Sequence, residues 1–245
     1  MLPLYWAIVA SLGTSGPPPV TVEWWPSEPS WSNYPELFRI VPMARYMVNS
    51  LLVAAAAVPI TLVIASLAGF GMSQMPADDR QRFVTLSIVL LLIPGAAVWL
   101  FRFQILRWLG LLDSLWALIV PAFGASNPLF VLLFYWTFRR IPSEMYEAAR
   151  LDGAGAGTLW QQLAMPLARP TTVGVVVLTF VLYWSDFIGP VLYIFNPDWY
   201  TMPIGLQIIN QIGNMDWPLI MAAAVLMTGP VLLLFVLLQR FFLHD

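Results

Sequence analysis

Five stretches of this chain are apolar over the length of a membrane crossing, and this feature constrains the fold most. A helix rises about 1.5 Å per residue, so about 20 apolar residues cross the hydrocarbon core of a bilayer. The stretches run roughly over 46–72, 83–101, 114–138, 171–195 and 217–241. None alternates with period two and all are too long for strands, so each reads as a helix. A helix also satisfies its own backbone polar groups in lipid. Composition agrees: 60% of the 245 residues are hydrophobic and only 10% are charged. Ordinary soluble domains carry about 25% charged residues. Too little polar surface exists to cover a globule in water, and the class is an integral membrane protein.

The segment Met1 to Leu12 is apolar but only about half a span long. No basic residue precedes it, as a signal peptide would require. It reads as the end of a truncated first transmembrane helix, with a short interfacial segment as the alternative. Gly13 to Pro19 then breaks the helix. The expected organisation is therefore 1–12 as the partial first helix, 13–45 as an external Pro/Trp-rich loop, 46–241 as the membrane core and 242–245 as a tail.

Absent residue types exclude several chemistries. There is no cysteine, hence no disulfide framework, thiolate metal site or thiol nucleophile. All 11 basic residues are arginine, so neither a Walker A lysine nor a lysine Schiff base exists. His244 is the lone histidine, which removes paired-histidine metal and haem sites. No metal and no catalytic centre are expected, and nothing in the pattern points to nucleic acid.

Arginine placement orients the chain. With 139–170 in the cytoplasm, Arg80, Arg82, Arg139, Arg140, Arg150, Arg169 and Arg240 lie inside, and Arg39, Arg45, Arg102 and Arg107 lie outside. The loop 195–216 holds no basic residue and is external. Trp24, Trp25 and Trp31 read as interface anchors. Around Arg102, Leu106, Trp108 and Leu109, a short interfacial helix is expected.

The most organised segment between spans is 142–170. Pro142-Ser143 can open a helix, with serine as its cap. Glu144 and Glu147 suit its first turns, where the helix dipole favours negative charge. The run Asp152-Gly153-Ala154-Gly155-Ala156-Gly157 ends it, because glycine takes positive φ readily. Thr158-Leu159-Trp160-Gln161 fits a capping box for a second short helix, with Leu159 and Leu163 on one face. Pro166 and Pro170 stop that helix. The sum is a helix–turn–helix with a small elbow and one apolar side, expected to bury Trp, Leu and Met in a partner's groove or to lie on the inner leaflet.

The stretch Glu147-Ala148-Ala149-Arg150-Leu151-Asp152-Gly153-Ala154, followed by Met165-Pro166-Leu167-Ala168-Arg169-Pro170, resembles the EAA loop of ABC importer permeases. Met165 stands where leucine is usual. Tyr46-Met47-Val48-Asn49-Ser50-Leu51 resembles the start of the second helix in carbohydrate-uptake permeases. Tyr183-Trp184-Ser185-Asp186-Phe187 resembles their W-N-D-F stretch, with Ser185 at the asparagine position. Pro3-Leu4-Tyr5-Trp6, and Pro26-Ser27 to Asn33-Tyr34, resemble the second permease of the maltose and glycerol-3-phosphate type. Relatives begin with a full first helix and usually continue past the last span. The short start is either a start-site error or a true shortening.

The resemblance implies an all-α polytopic membrane helix bundle with the type I ABC importer permease fold, here five full spans plus the partial first helix. It implies a cytoplasmic membrane of a bacterium or archaeon, with the C-terminus and the 142–170 loop inside. The implied partners are a homologous permease forming a heterodimer, an ABC ATPase dimer and an extracytoplasmic solute-binding protein. ATP and Mg are then bound by the ATPase, and this chain holds no cofactor. The implied solute is a sugar, an oligosaccharide or a glycerol-phosphate-like compound. ATPase coupling falls to Glu147, Ala148, Ala149, Asp152, Gly153, Trp160 and Pro166. Gly153 is the expected transmitter, with a helix C-cap as its alternative role.

Polar groups within spans are costly and tend to be functional or paired. Asn49, Asn127, Tyr183, Trp184, Ser185 and Asp186 are therefore candidates for the solute pathway. Asp186 reads equally as pathway lining or as a structural partner. Pro94, Pro121, Pro128 and Pro190 are expected to break helices mid-span. Three other classes stay open: a self-contained membrane transporter, an assembly or scaffold subunit, and an intramembrane aspartyl protease. The last needs two facing acids at depth, and Asp186 alone qualifies clearly.

Overall fold

The computed structural model describes residues 2–19, 24–124, 127–212 and 216–239. The expected tail 242–245, with Arg240 and His244, lies outside the described residues. The described residues form helices and turns, with no strand among them. In chain order the helices are α1 (Leu2–Ser11), α2 (Asn33–Ile40), α3 (Met43–Gln74), α4 (Ala77–Leu91), α5 (Gly95–Trp108), α6 (Trp116–Ile119) and α7 (Pro128–Arg139). They continue with α8 (Ser143–Leu151), α9 (Ala156–Thr158), α10 (Met165–Leu167), α11 (Arg169–Trp184), α12 (Ile188–Tyr193), α13 (Met202–Ile212) and α14 (Trp217–Leu238).

Two of the five apolar stretches are single helices of spanning length, α3 and α14. The other three are broken. Residues 83–101 divide between α4 and α5, which bend by 95°. Pro94 causes this: the residue before proline is pushed out of the α region, so Ile93 cannot continue the helix. Pro94 then caps α5, whose run to Trp108 includes the expected interfacial helix. Residues 114–138 divide between α6, with its 3-10 extension to Gly124, and α7. Residues 171–195 are helical only to Trp184 before α12 begins at Ile188. Pro128 and Pro190 stand near helix starts, where proline fits, and Pro121 lies in the 3-10 turn. Pro59 and Pro230 instead sit inside continuous helices.

The two segments read as external loops carry helices, α2 in 13–45 and α13 in 195–216. Both are shorter than a membrane crossing, α2 at 8 residues and α13 at 11.

The chain forms two compact units. The first comprises residues 1–53, 113–118 and 181–237. Its buried side chains include Leu37, Met43, Tyr46, Trp184, Tyr193, Met202 and Ile209. Here α13 lies hard against the start of α3: a methyl group on Gly205 would come within 2.8 Å of Met43 Sδ and of Tyr46 Cδ2. Asp113 sits at φ 59° and its carboxylate accepts from the Phe195 and Asn196 amides at 2.9 and 2.6 Å.

The second unit comprises 54–112, 119–180 and the end of the chain. Its core gathers Phe70, Phe130, Phe134, Phe138, Tyr146, Leu159 and Val175. Phe70 meets Phe138 edge-on at 5.9 Å, and Phe134 stacks on Phe138 at 5.6 Å. Such offset and edge-on pairs add about 0.5–1.5 kcal/mol each beyond the area they bury. The Thr137 and Thr171 hydroxyls share a hydrogen bond of 2.7 Å, joining α7 to α11.

Candidate functional site: the 142–170 hairpin and the polar residues of the spans

Helix α8 begins at Ser143, with Pro142 as its cap, so the serine is the first helical residue and makes no capping bond. The helix closes in a Schellman turn. The Ala154 amide donates to Ala149 O at 2.9 Å and the Gly153 amide donates to Arg150 O at 3.0 Å. That pair of bonds requires a left-handed residue after the cap. Gly153 supplies it at φ +84°. The second half starts at Gly155, so the expected capping box of Thr158 does not form. Leu159–Ala164 winds as a π-helix, an arrangement found often at functional sites.

One side of this hairpin packs on the second unit. Tyr146 and Leu159 are buried in its core, and Ala149, Ala154, Trp160 and Leu163 pack against them. Tyr146 also meets Phe70 at 6.3 Å. The apolar face expected to enter a partner's groove is thus spent on the chain's own core. Hydrophobic burial of an accessible intramolecular surface comes first, and Leu159 is 3% exposed. Arg150 Nη2 donates to Gln74 Oε1 at 2.6 Å and ties the hairpin to the end of α3.

The opposite side is uncovered. Glu147, Ala148, Asp152, Gly153 and Pro166 are exposed, and Leu151 is 90% exposed. Apart from its two chain neighbours, no described residue comes within 4 Å of where a Gly153 side chain would begin. Beside this face lies a recess of about 490 Å³ lined by Gln74, Arg139, Arg140, Glu144, Glu147 and Arg150. Burial pushes the Tyr146 phenol above its ordinary pKa, although the Arg150 and Arg139 guanidinium groups pull the other way. Tyr146 therefore stays a neutral donor, and its hydroxyl reaches Phe138 O at 3.4 Å.

Sequence reasoning missed Tyr146, Leu151 and Gln74. Tyr146 is the sole aromatic of α8, one turn before Arg150, and that placement was the available signal.

The other candidates have defined local engagements. Asn127 caps α7, its side-chain oxygen accepting from the Leu129 amide at 3.1 Å. Trp184 is fully buried and its indole donates to Met227 O at 2.7 Å. An Asp186 carboxylate oxygen accepts from the Gly189 amide at 3.0 Å, at the start of α12. Tyr183 is half-buried and Ser185 is exposed. The four consecutive residues 183–186 thus sit together where α11 gives way to α12.

Asn49, 5% exposed, donates to the carbonyls of Asp198 and Tyr200 at 2.9 Å each. Arg45 pairs with Asp198 beside it. Asn49→Leu leaves two carbonyls without their donor, at about 1–3 kcal/mol. Limited proteolysis is expected to cut 195–201 several-fold faster in that variant, with cleavage in 142–170 unchanged. A wild-type cleavage rate at 195–201 in the variant would show that Asn49 does not hold this loop.

These features define a multi-helix integral membrane component with a hairpin anchored on its own core. The chain belongs to the family of binding-protein-dependent transport system inner membrane components, whose model matches residues 62–244. It is 30% identical to the sulfoquinovosyl glycerol transport system permease protein SmoH of Agrobacterium fabrum, over 98% of this chain and 85% of that one. It is 27% identical to the galactooligosaccharides transport system permease protein GanQ of Bacillus subtilis, over 98% and 86%. It is 28% identical to the sn-glycerol-3-phosphate transport system permease protein UgpE of Agrobacterium fabrum, over 98% and 88%. Among solved structures it matches a chain of a bacterial ABC transporter involved in the import of the acidic polysaccharide alginate. That match has a TM-score of 0.81 at 18% identity and covers 98% of this chain and 90% of the other. The fold is accordingly that of a type I ABC permease.

Proposed function

We infer that this chain is the membrane permease subunit of an ATP-driven importer for a sugar, an oligosaccharide or a glycerol-phosphate-like solute. It pairs with a homologous permease, and a separate ATPase dimer binds ATP and Mg and drives both. An external solute-binding protein delivers the solute. The solute class rests on what the similar permeases carry by name. A solved relative is a complex with its alginate-pentasaccharide-bound periplasmic protein, which supports the delivery step.

The carrying observation is the hairpin's two-sidedness. One face is anchored by Tyr146, Leu159 and Arg150, and the other leaves Glu147, Ala148, Leu151, Asp152 and Gly153 bare. An element fixed to the core on one side transmits force applied to the other. We assign the bare face to the ATPase, and therefore to the cytoplasm. Ala149 and Trp160 support it from beneath, and Pro166 ends it before α11 begins. Ser185 and Tyr183 are the pathway candidates with side chains least committed to packing, while Asn49, Asn127, Trp184 and Asp186 shape the backbone around them. The chain carries no catalytic site in this reading.

A mild-detergent pull-down of the chain from its native membrane tests this, with partners identified by mass spectrometry. Recovery of an ATPase and a second permease is expected. Recovery of the chain alone, folded and stable, would overturn the coupling role and favour a self-contained transporter.

A further inference from the structure

The first unit contains a cavity of about 250 Å³ far from residues 183–186 in sequence, formed by the end of α1, the turns after it and the start of α14. Its walls include Trp6 and Trp217, whose ring centroids lie 5.9 Å apart with planes tilted by 53°. Thr14, Ser15, Ser27 and Glu28 complete the polar part of its lining. None of these four side chains hydrogen-bonds another described residue. The Trp217 indole N–H is buried without an acceptor among the described residues.

The cavity is built before any ligand arrives. The Trp217 amide donates to Gly16 O at 2.8 Å, and the Ser30 amide donates to Leu12 O at 2.7 Å. The buried Asn33 side chain donates to Ser11 O and Gly13 O at 2.8 and 2.9 Å. Pro218 closes the floor, 3.3 Å from where a Gly13 side chain would begin. Preformed walls reduce the ordering cost of binding.

We propose that this cavity is a subsite for one neutral sugar ring, on the external side of the importer inferred above. The two indole faces offer apolar platforms for the C–H faces of a ring. The Thr14, Ser15 and Ser27 hydroxyls, the Glu28 carboxylate and the Trp217 indole N–H can bond its hydroxyl groups. The volume is just below the roughly 300 Å³ at which pockets for larger ligands begin, which suits a single ring. Among the described residues the lining includes a carboxylate and no basic side chain, so it disfavours uronates, sulfonates and phosphates. The subsite therefore narrows the solute towards neutral saccharides, and it rests on the importer reading.

The test uses the full chain with the partners it recovers from its native membrane, in lipid nanodiscs. Saturation-transfer NMR is run with cellobiose, maltose, lactose, chitobiose, glucuronate, glycerol 3-phosphate and choline as probes. At least one neutral disaccharide is expected to give a signal, and the anions and choline none. Trp6→Ala should weaken that signal at least tenfold, and Trp217→Phe, which keeps an aromatic ring and removes the N–H, several-fold. Glu28→Gln, at an exposed position, should let glucuronate in. The proposal is overturned by no signal from any neutral disaccharide, by a signal that all three variants leave unchanged, or by preference for choline or an anion. The importer reading is judged separately by ATPase recovery, so an assembled importer with a silent cavity defeats the subsite alone.

Discussion

Gly153→Asn is expected to reduce solute uptake more than tenfold while the protein inserts and assembles at wild-type levels. The choice of asparagine separates two demands on this position. The first is conformational: Gly153 holds φ +84° in the turn that closes α8. Most L-residues lose about 1–2 kcal/mol in that region, but asparagine visits it readily. If closing the helix were the whole role, Gly153→Asn would transport almost normally and Gly153→Val would fail. The second demand is space. Apart from its two chain neighbours, no described residue lies within 4 Å of where the side chain would begin. A new side chain there offends no intramolecular neighbour and meets whatever docks on the bare face. Gly153→Asp adds a charge beside Asp152 and is expected to abolish uptake. Uptake by whole cells, normalised to membrane-inserted protein, checks both variants. Normal transport by Gly153→Asn would end the coupling role and leave a helix cap.

The hairpin was legible because its grammar is local. A helix start, a glycine run and a terminating proline all fall within 142–170, and each acts over one or two turns. Its facing was not legible. Leu159, Leu163 and Trp160 form an apolar side in any reading, and sequence does not say whether that side serves the chain's own core or a partner. The structure turns it towards Phe134 and Phe138 of the preceding helix α7 and towards Phe70 of the distant α3. The broken spans show a second limit. Residues 83–101 are as apolar as an unbroken span, and hydropathy averages across the bend at Pro94. The prolines in α3 and α14, by contrast, leave their helices continuous. Asn127 carries a local signal as well: asparagine directly before proline is a helix-start pattern, and its side chain caps α7.

The close approach of α3 and α7 left no trace in the sequence, and it carries the second large effect. A methyl group on Gly69 would fall 2.7 Å from Phe134 Cβ and 2.8 Å from Tyr135 N and Val131 O. Two of these are backbone atoms, so no rotamer change relieves the clash and the helices must separate. Forcing extra volume into a packed interface costs about 1–3 kcal/mol or more. About 1 kcal/mol moves the melting midpoint of a chain this size by roughly 2–4 °C. Gly69→Ala is therefore expected to lower the midpoint in detergent by roughly 4–10 °C, and Gly69→Val to prevent recovery of folded protein. Gly71→Ala, two residues along the same helix with nothing within 4 Å, is the matched control. It removes a glycine from a helix interior and is expected to hold or raise the midpoint. The effect reaches transport through the hairpin's footing. Gln74 at the end of α3 holds Arg150, and α7 ends at Arg139, just before Pro142 and α8. Prying α3 from α7 shifts both ends of that footing, so Gly69→Ala should lose uptake at temperatures below its own midpoint. Wild-type melting by Gly69→Ala would show that the two helices are not packed backbone to backbone here.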